Sequence, residues 1–206
     1  ANLRYAFGKT LVGRLSYSSG FRAPQAFDED LHIMAVGGQV SIINLSPDLE
    51  PEHSKSISGS LTWTPKVADN ELMLLAEGFY TNLSDVFILT EKGFDAQGNL
   101  LLERQNGSGA YVAGINVEAT YSPFIDLNFQ LGYTYQQSRY KEPEQWSDDE
   151  EAQTRMFRTP DHYGYFTIDY TMLNSLKLSL SGTYTGSMLV QHFAGYVEKD
   201  MQVETP

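Results

Sequence analysis

The side chains able to do chemistry in this chain are few and scattered. Four histidines, His32, His53, His162 and His192, lie on four different segments. The densest carboxylate run is "SDDEEAQ", in which Asp148 to Glu151 are consecutive. Hard carboxylate oxygens suit calcium, but a calcium loop needs Asp-x-Asp-x-Asp-Gly spacing to turn them toward one point. Consecutive acids splay apart, so this run reads as a solvated acidic loop. The chain has no cysteine, which excludes disulfides and thiolate metal centres. It has no Gly-x-Ser-x-Gly elbow, no His-Glu-x-x-His pair and no Walker loop. No Ser, His and acid can be assembled into a triad, so the chain reads as a non-enzyme that needs no cofactor and no metal. The histidines read as polar loop residues; a haem or metal role for His32 or His192 stays open. Binding chemistry is better represented. Tyr140 and Trp146 share the segment "YKEPEQW", and Phe27, His32 and Met34 share "AFDEDLHIM". Side chains of these types on adjoining loops line a ligand mouth or pack the loops against one another; both readings stay open.

The elements that must position these loops are strands. In "IDLNFQLGYTYQ" Leu127, Phe129, Leu131, Tyr133 and Tyr135 alternate with Asp126, Asn128, Gln130, Gly132, Thr134 and Gln136. The segments "SISGSLTWT", "AYVAGINVEATY" and "LKLSLSGTYT" alternate in the same way. A repeat of two residues places one apolar and one polar face on each strand. No segment carries a helical stripe, although a short helix fits the long stretch after Pro24. The pattern predicts about eight strands, at roughly 2–6, 10–19, 54–64, 71–91, 100–121, 126–140, 161–171 and 175–194. The pair over 71–121 reads as one tall hairpin whose tip, "FDAQGN", needs positive φ at Gly98. Connections alternate between short turns and long polar loops, at about 20–53 and 141–159. The fold class is therefore all-β: an antiparallel up-and-down meander.

Which face is buried decides between a soluble sandwich and an outer-membrane barrel. The polar faces carry Ser, Thr, Asn, Gln and Gly, whereas a sandwich exterior normally carries Lys and Glu. Tyrosines recur near strand ends, as in an interfacial girdle. Short turns at one end and long loops at the other match periplasmic turns and extracellular loops. The 206 residues carry a net charge of −12 with only 14 Lys plus Arg, so nucleic acid is not a partner. No run approaches the ~20 apolar residues of a transmembrane helix. The opening "ANLRYAFGKT" lacks a signal-peptide layout, which fits a cytoplasmic chain, a processed one or part of something longer.

Three short strings then share one identity. "RLSYSSGFRAP" carries Gly20, Phe21, Arg22, Ala23 and Pro24. "LEPEHSKSISGSLTW" carries Leu49, Pro51, Glu52, Ser54 and Gly59. "RTPDHYGYFTIDY" carries Arg158, Thr159, Pro160 and His162. Their order between strands resembles the strand-to-loop motifs of TonB-dependent outer-membrane receptors. The resemblance covers nearly the whole chain. It implies a fragment of a barrel of about 22 strands in the outer membrane of a Gram-negative bacterium. It also implies uptake of a large scarce nutrient ligand: a ferric siderophore, haem, cobalamin or an oligosaccharide. Partners would be the TonB complex, reached through a plug region missing here, outer-membrane lipid, and optionally a surface lipoprotein. Within the motif, Pro24 fixes φ and turns the chain out of the sheet, Gly20 permits the bend, and Glu52 stands where Arg22 can brace the corner. The rival reading is a soluble β-sandwich adhesin or carbohydrate-binding module. An outer-membrane enzyme on a smaller barrel is a third reading, without an assembled site.

Overall fold

The computed structural model describes residues 1–24, 41–67, 70–145, 151–173 and 176–190. Its strands are β1 (Asn2–Ala6), β2 (Leu11–Arg22), β3 (Ser41–Leu45), β4 (Glu52–Trp63), β5 (Lys66–Val67), β6 (Asn70–Ser84), β7 (Phe87–Phe94), β8 (Leu100–Asn106), β9 (Ala110–Phe124), β10 (Leu127–Glu144), β11 (Gln153–Arg155), β12 (His162–Leu173) and β13 (Leu176–Thr185). Eight of them form one antiparallel ladder in the order β1-β2-β4-β6-β9-β10-β12-β13, with β5 and β11 as short additions on β6 and β10. A second sheet, β3-β8-β7, stands on the long connections. Among the described residues no helix is long and apolar enough to cross a membrane, which says nothing about strands.

The register turns the sequence alternation into two continuous faces. One row crosses six strands as Leu15, Gly59, Gly78, Ile115, Tyr135 and His162. The next row toward the short turns is Gly13, Leu61, Ala76, Val117, Tyr133 and Gly164. The opposite face pairs Ser56 with Thr81, hydroxyl to hydroxyl at 2.8 Å, and runs Thr134 Oγ1 to Asn116 Oδ1 at 2.8 Å and Asn116 Nδ2 to Glu77 Oε2 at 3.3 Å. Polar side chains satisfy one another across strands in this way, with Glu77 the carboxylate among them.

Among the described residues no second sheet covers the apolar face of this one, so the sandwich reading fails. Ile115 is 56% exposed and Leu178 50%. The accessible area is 14605 Å², against about 9,700 Å² for a compact soluble monomer of this mass. Buried apolar side chains among the described residues come down to Val86, Leu102, Ala110 and Tyr140. The oily face is built for hydrocarbon. Tyr111 and Tyr121 bound it on β9 and stand ten residue steps apart. That is ~34 Å along the strand at ~3.4 Å per residue, or roughly 25 Å of height at the ~35–45° tilt of a membrane barrel.

Several boundaries differ from the sequence reading. The hairpin expected over 71–121 is split, because the chain leaves the ladder after Ser84 and returns at Ala110. Asp85 has φ 58 and Gly109 φ 102, left-handed values that stop a strand. A Cβ at Gly109 would also stand 2.5 Å from the Leu83 carbonyl oxygen, so glycine is required there. The tip itself closes with Gly98 at φ 84. Gly20 does not bend the chain: it pairs with Ser54 inside β2, which runs on to Arg22. The departure from the sheet falls at Ala23 and Pro24. The last strand stops at Thr185 rather than 194. A helix after Pro24 would fall on residues outside those described.

Candidate functional site

The long-loop end of the ladder is where side chains converge. Arg22 and Glu52 close the β2–β4 pair, and Arg22 Nε lies 2.8 Å from Glu52 Oε2. Glu52 does more than brace the corner. Its Oε1 accepts the Phe87 backbone N–H at 2.6 Å, and the Arg22 guanidinium carbon sits 4.9 Å from the Phe87 ring centroid. Glu52 thus ties the barrel wall to the first residue of β7. A carboxylate accepting a backbone N–H is a charge-assisted bond, about twice as strong as a neutral one.

A second clamp sits beside it. Asn106 Nδ2 donates to the Asp85 carbonyl at 2.6 Å and to the Glu50 carbonyl at 2.9 Å, while its Oδ1 accepts the Glu50 N–H at 2.8 Å. One amide side chain therefore pins the left-handed turn at Asp85 to the connection that re-enters at Pro51. The small sheet continues the link. β3 pairs in parallel with β8, Ile42 beside Leu101 and Asn44 beside Glu103, and β8 pairs antiparallel with β7. The connection between β2 and β4 and the hairpin between β6 and β9 are thereby one platform at the root of the rim.

A third group fixes the return into β12. Asp161 lies between two arginines, 3.2 Å from Arg139 Nη1 and 3.2 Å from Arg155 Nη2. Arg158 has φ 55, and its N–H donates to the Leu189 carbonyl at 2.8 Å. Thr159 Oγ1 donates to the Met156 carbonyl at 2.8 Å, and the Pro160 carbonyl accepts Gln136 Nε2 at 3.3 Å. These contacts fix geometry; none is arranged for bond-making.

The residues read from the sequence divide accordingly. Phe27, His32, Met34, Trp146 and His192 lie outside the described residues, as do Asp148, Asp149 and Glu150. Tyr140 is described and is not an exposed loop aromatic. It points to the inner side of β10, 9% exposed, against Val86 and Ala110, with Leu83 and Met156 packed around them. Glu144, near the end of the same strand and well above the Tyr111 level, has its carboxyl pKa pushed up, first by burial and then by the Glu142 charge. His53 and His162 sit on strands and face outward. His162 Nδ1 is 2.6 Å from the Tyr133 hydroxyl, and its ring is 4.9 Å from that of Tyr135. Among the described residues no three His, Asp or Glu side chains come together as a metal site. Sequence reasoning missed Phe87, Asn106 and Asp161. For Asn106 a signal existed: "NGSG", residues 106–109, is a turn signature inside what alternation reads as a strand.

Comparison with known proteins agrees with this geometry. The family model described as "TonB dependent receptor-like, beta-barrel" matches residues 1–199. No curated protein matches. Among solved structures the chain is similar to the ferric-catecholate import receptor Fiu of E. coli K12, with 16% identity, TM-score 0.60, and 91% of this chain aligned to 24% of that one. The siderophore receptor PirA of Pseudomonas aeruginosa shows 13% identity and TM-score 0.66, with 88% of this chain and 32% of that one covered. The alcaligin outer-membrane receptor FauA of Bordetella pertussis shows 18% identity and TM-score 0.55, with 90% and 28% covered. The chain thus spans about a quarter to a third of the length of these receptors.

Proposed function

The chain belongs to the TonB-dependent receptor family, as a stretch of its Gram-negative outer-membrane β-barrel, and on that premise we propose that the whole protein takes up a scarce, large ligand. The ligand class is a ferric siderophore, with haem, cobalamin or an oligosaccharide as the other candidates. The protein binds and passes its ligand without making or breaking bonds in it, and draws energy from the TonB complex through a plug region elsewhere in the whole protein. A surface lipoprotein is a candidate partner at the loop end.

One observation carries this reading. The long loops at the rim are not loose ends, because the β3-β8-β7 sheet, Glu52 and Asn106 join two of them into one platform anchored on the barrel wall. A receptor needs such a platform, since binding residues on loops gain precision from rigid supports. Phe27, His32, Met34 and Trp146 are the loop residues assigned to the proposed ligand mouth. The siderophore is placed first because Fiu is named for a ferric catecholate and PirA for a siderophore.

Growth of a deletion strain tests the reading. Under iron limitation with one supplied chelate at a time, the strain should lose growth on one ferric siderophore and regain it with the intact gene. Loss on cobalamin or an oligosaccharide alone would move the ligand class. Unimpaired uptake of all four would overturn the function.

A further inference from the structure

The clamp at Asn106 is built on the only Asn-Gly pair in the sequence, Asn106 followed by Gly107. That dipeptide carries chemistry of its own. Asparagine is a thermolabile residue, because the next backbone nitrogen can attack its side-chain amide carbon. Glycine, with no Cβ, leaves that nitrogen least hindered. Neither residue is exchangeable here. Asn106 supplies both donors and the acceptor that tie Asp85 to Glu50. A Cβ at Gly107 would stand 2.9 Å from Ile88 Cγ2 and 3.3 Å from Glu144 Oε1. The clamp therefore cannot be built without the reactive pair.

The folded rim holds the reaction off. The Gly107 N–H donates to the Val86 carbonyl at 2.7 Å, and the nitrogen must lose that proton before it can attack. The Val86 carbonyl and the Phe87 N–H belong to one planar peptide group, and Glu52 Oε1 accepts that N–H at 2.6 Å. One peptide group, gripped by Glu52, thus guards the nucleophile. The leaving group, Asn106 Nδ2, is itself engaged by two carbonyls. We propose that Asn106–Gly107 is a modification site gated by the platform, intact while the rim is closed and deamidated once the break after β6 opens. In the open state hydroxide takes the Gly107 amide proton, the nitrogen bonds to Asn106 Cγ, and the Cγ–Nδ2 bond breaks. Nδ2 leaves as ammonia after taking a proton from water. Water then opens the succinimide ring to aspartate or isoaspartate, so the net change is water in and ammonia out. The product cannot re-form the clamp. A carboxylate has no proton for the Asp85 and Glu50 carbonyls and meets them oxygen to oxygen. Isoaspartate also lengthens the backbone where Asn106 pairs with Phe87. A transient opening becomes a permanent one. The inference rests on the rim geometry and is independent of which nutrient is taken up.

The test ages the intact receptor in detergent at mildly alkaline pH and follows conversion of Asn106 by peptide mass spectrometry, beside a free peptide of residues 103–111. Wild type should convert far more slowly than the peptide. Glu52→Ala frees the guarding peptide group by removing a charge-assisted bond, and should convert roughly 30-fold faster than wild type. Protection of the Ile115 amide should stay unchanged in that variant, which separates opening of the rim from unfolding of the wall. Lys66→Gln, at the short-turn end, should convert at the wild-type rate. In aged wild type, cleavage at residues 46–51 under limited proteolysis should follow the converted fraction, and Asn106→Asp should be cleaved there from the start. Equal rates in receptor and peptide, an unchanged rate in Glu52→Ala, or converted receptor as resistant to cleavage as unconverted would overturn the site.

Discussion

Replacing Glu52 by alanine tests whether the rim is held by one carboxylate. The substitution removes two interactions with different weights. The ion pair to Arg22, 2.8 Å long, involves a guanidinium side chain that is 53% exposed, and exposed pairs contribute only ~0–1 kcal/mol. The bond from the Phe87 N–H, 2.6 Å long, is partly buried; a hydrogen bond to a charged group contributes roughly 1.5–3 kcal/mol. The backbone bond should therefore dominate, and Glu52→Ala should loosen the start of β7 by about 2 kcal/mol. That is a ~30-fold loss of protection at the Phe87 amide, from the conversion of ~1.4 kcal/mol per factor of ten. Hydrogen exchange on the intact receptor reads this directly. Glu52→Gln keeps an acceptor and should lose only a few-fold, and Arg22→Ala should resemble Glu52→Gln. The reasoning is refuted if Arg22→Ala costs as much protection as Glu52→Ala, or if Phe87 exchanges equally fast in wild type and Glu52→Ala.

Three further outcomes follow from the geometry. Asn106→Ala removes three hydrogen bonds at the second clamp and should expose the connection at residues 46–51 and the turn at Asp85 to limited proteolysis together, at a cost of ~2–3 kcal/mol; cleavage at only one of the two would refute the clamp. Gly114→Ala would place a Cβ 2.5 Å from the Tyr135 carbonyl oxygen and 2.6 Å from the Phe79 ring, whereas Gly78 has nothing within 4 Å. Gly114→Ala should therefore lower stability to urea by ~1–3 kcal/mol, while Gly78→Ala should leave the midpoint unchanged. At the hairpin tip, Asp95 has its pKa lowered, first by the Asn99 side chain and then by the Asn99 N–H. A carboxyl depressed in the folded state contributes order that is full above its unfolded value and is lost as pH falls through the folded one. Protection of the Gln97 and Asn99 amides, taken relative to the intrinsic exchange rate at each pH, should fall on acidification below the usual carboxyl range in wild type, and show no such step in Asp95→Asn.

Alternation made the ladder legible because a period of two reports which face a residue takes, and a membrane strand leaves little else to specify. The rows through Ile115 and Leu131 follow from it. Three things were not legible. A backbone break such as Asp85 to Gly109 changes direction without disturbing the surrounding alternation, so 71–91 and 100–121 read as unbroken. Parallel pairing of β3 with β8 joins residues nearly sixty positions apart, and local pattern carries no trace of it. Tyr140 occupies an inner position on β10 that would be wet elsewhere in the barrel; it is buried where Val86, at the break after β6, and Met156, just after β11, pack against it with Leu83 and Ala110. The Arg22 and Glu52 positions could be placed from the corner motif, but the second role of Glu52, holding the Phe87 amide, depends on where that break sends the chain.

The parallel β3–β8 pair has a mechanical meaning. A hairpin loop can be pulled without disturbing the hairpin beyond it, because adjacent strands share only their own turn. Here a backbone seam stitches one loop to the neighbour that follows two wall strands later. Force applied to either is transmitted to the other, so whatever lands on the first segment moves the second with it. The two behave as a single jaw.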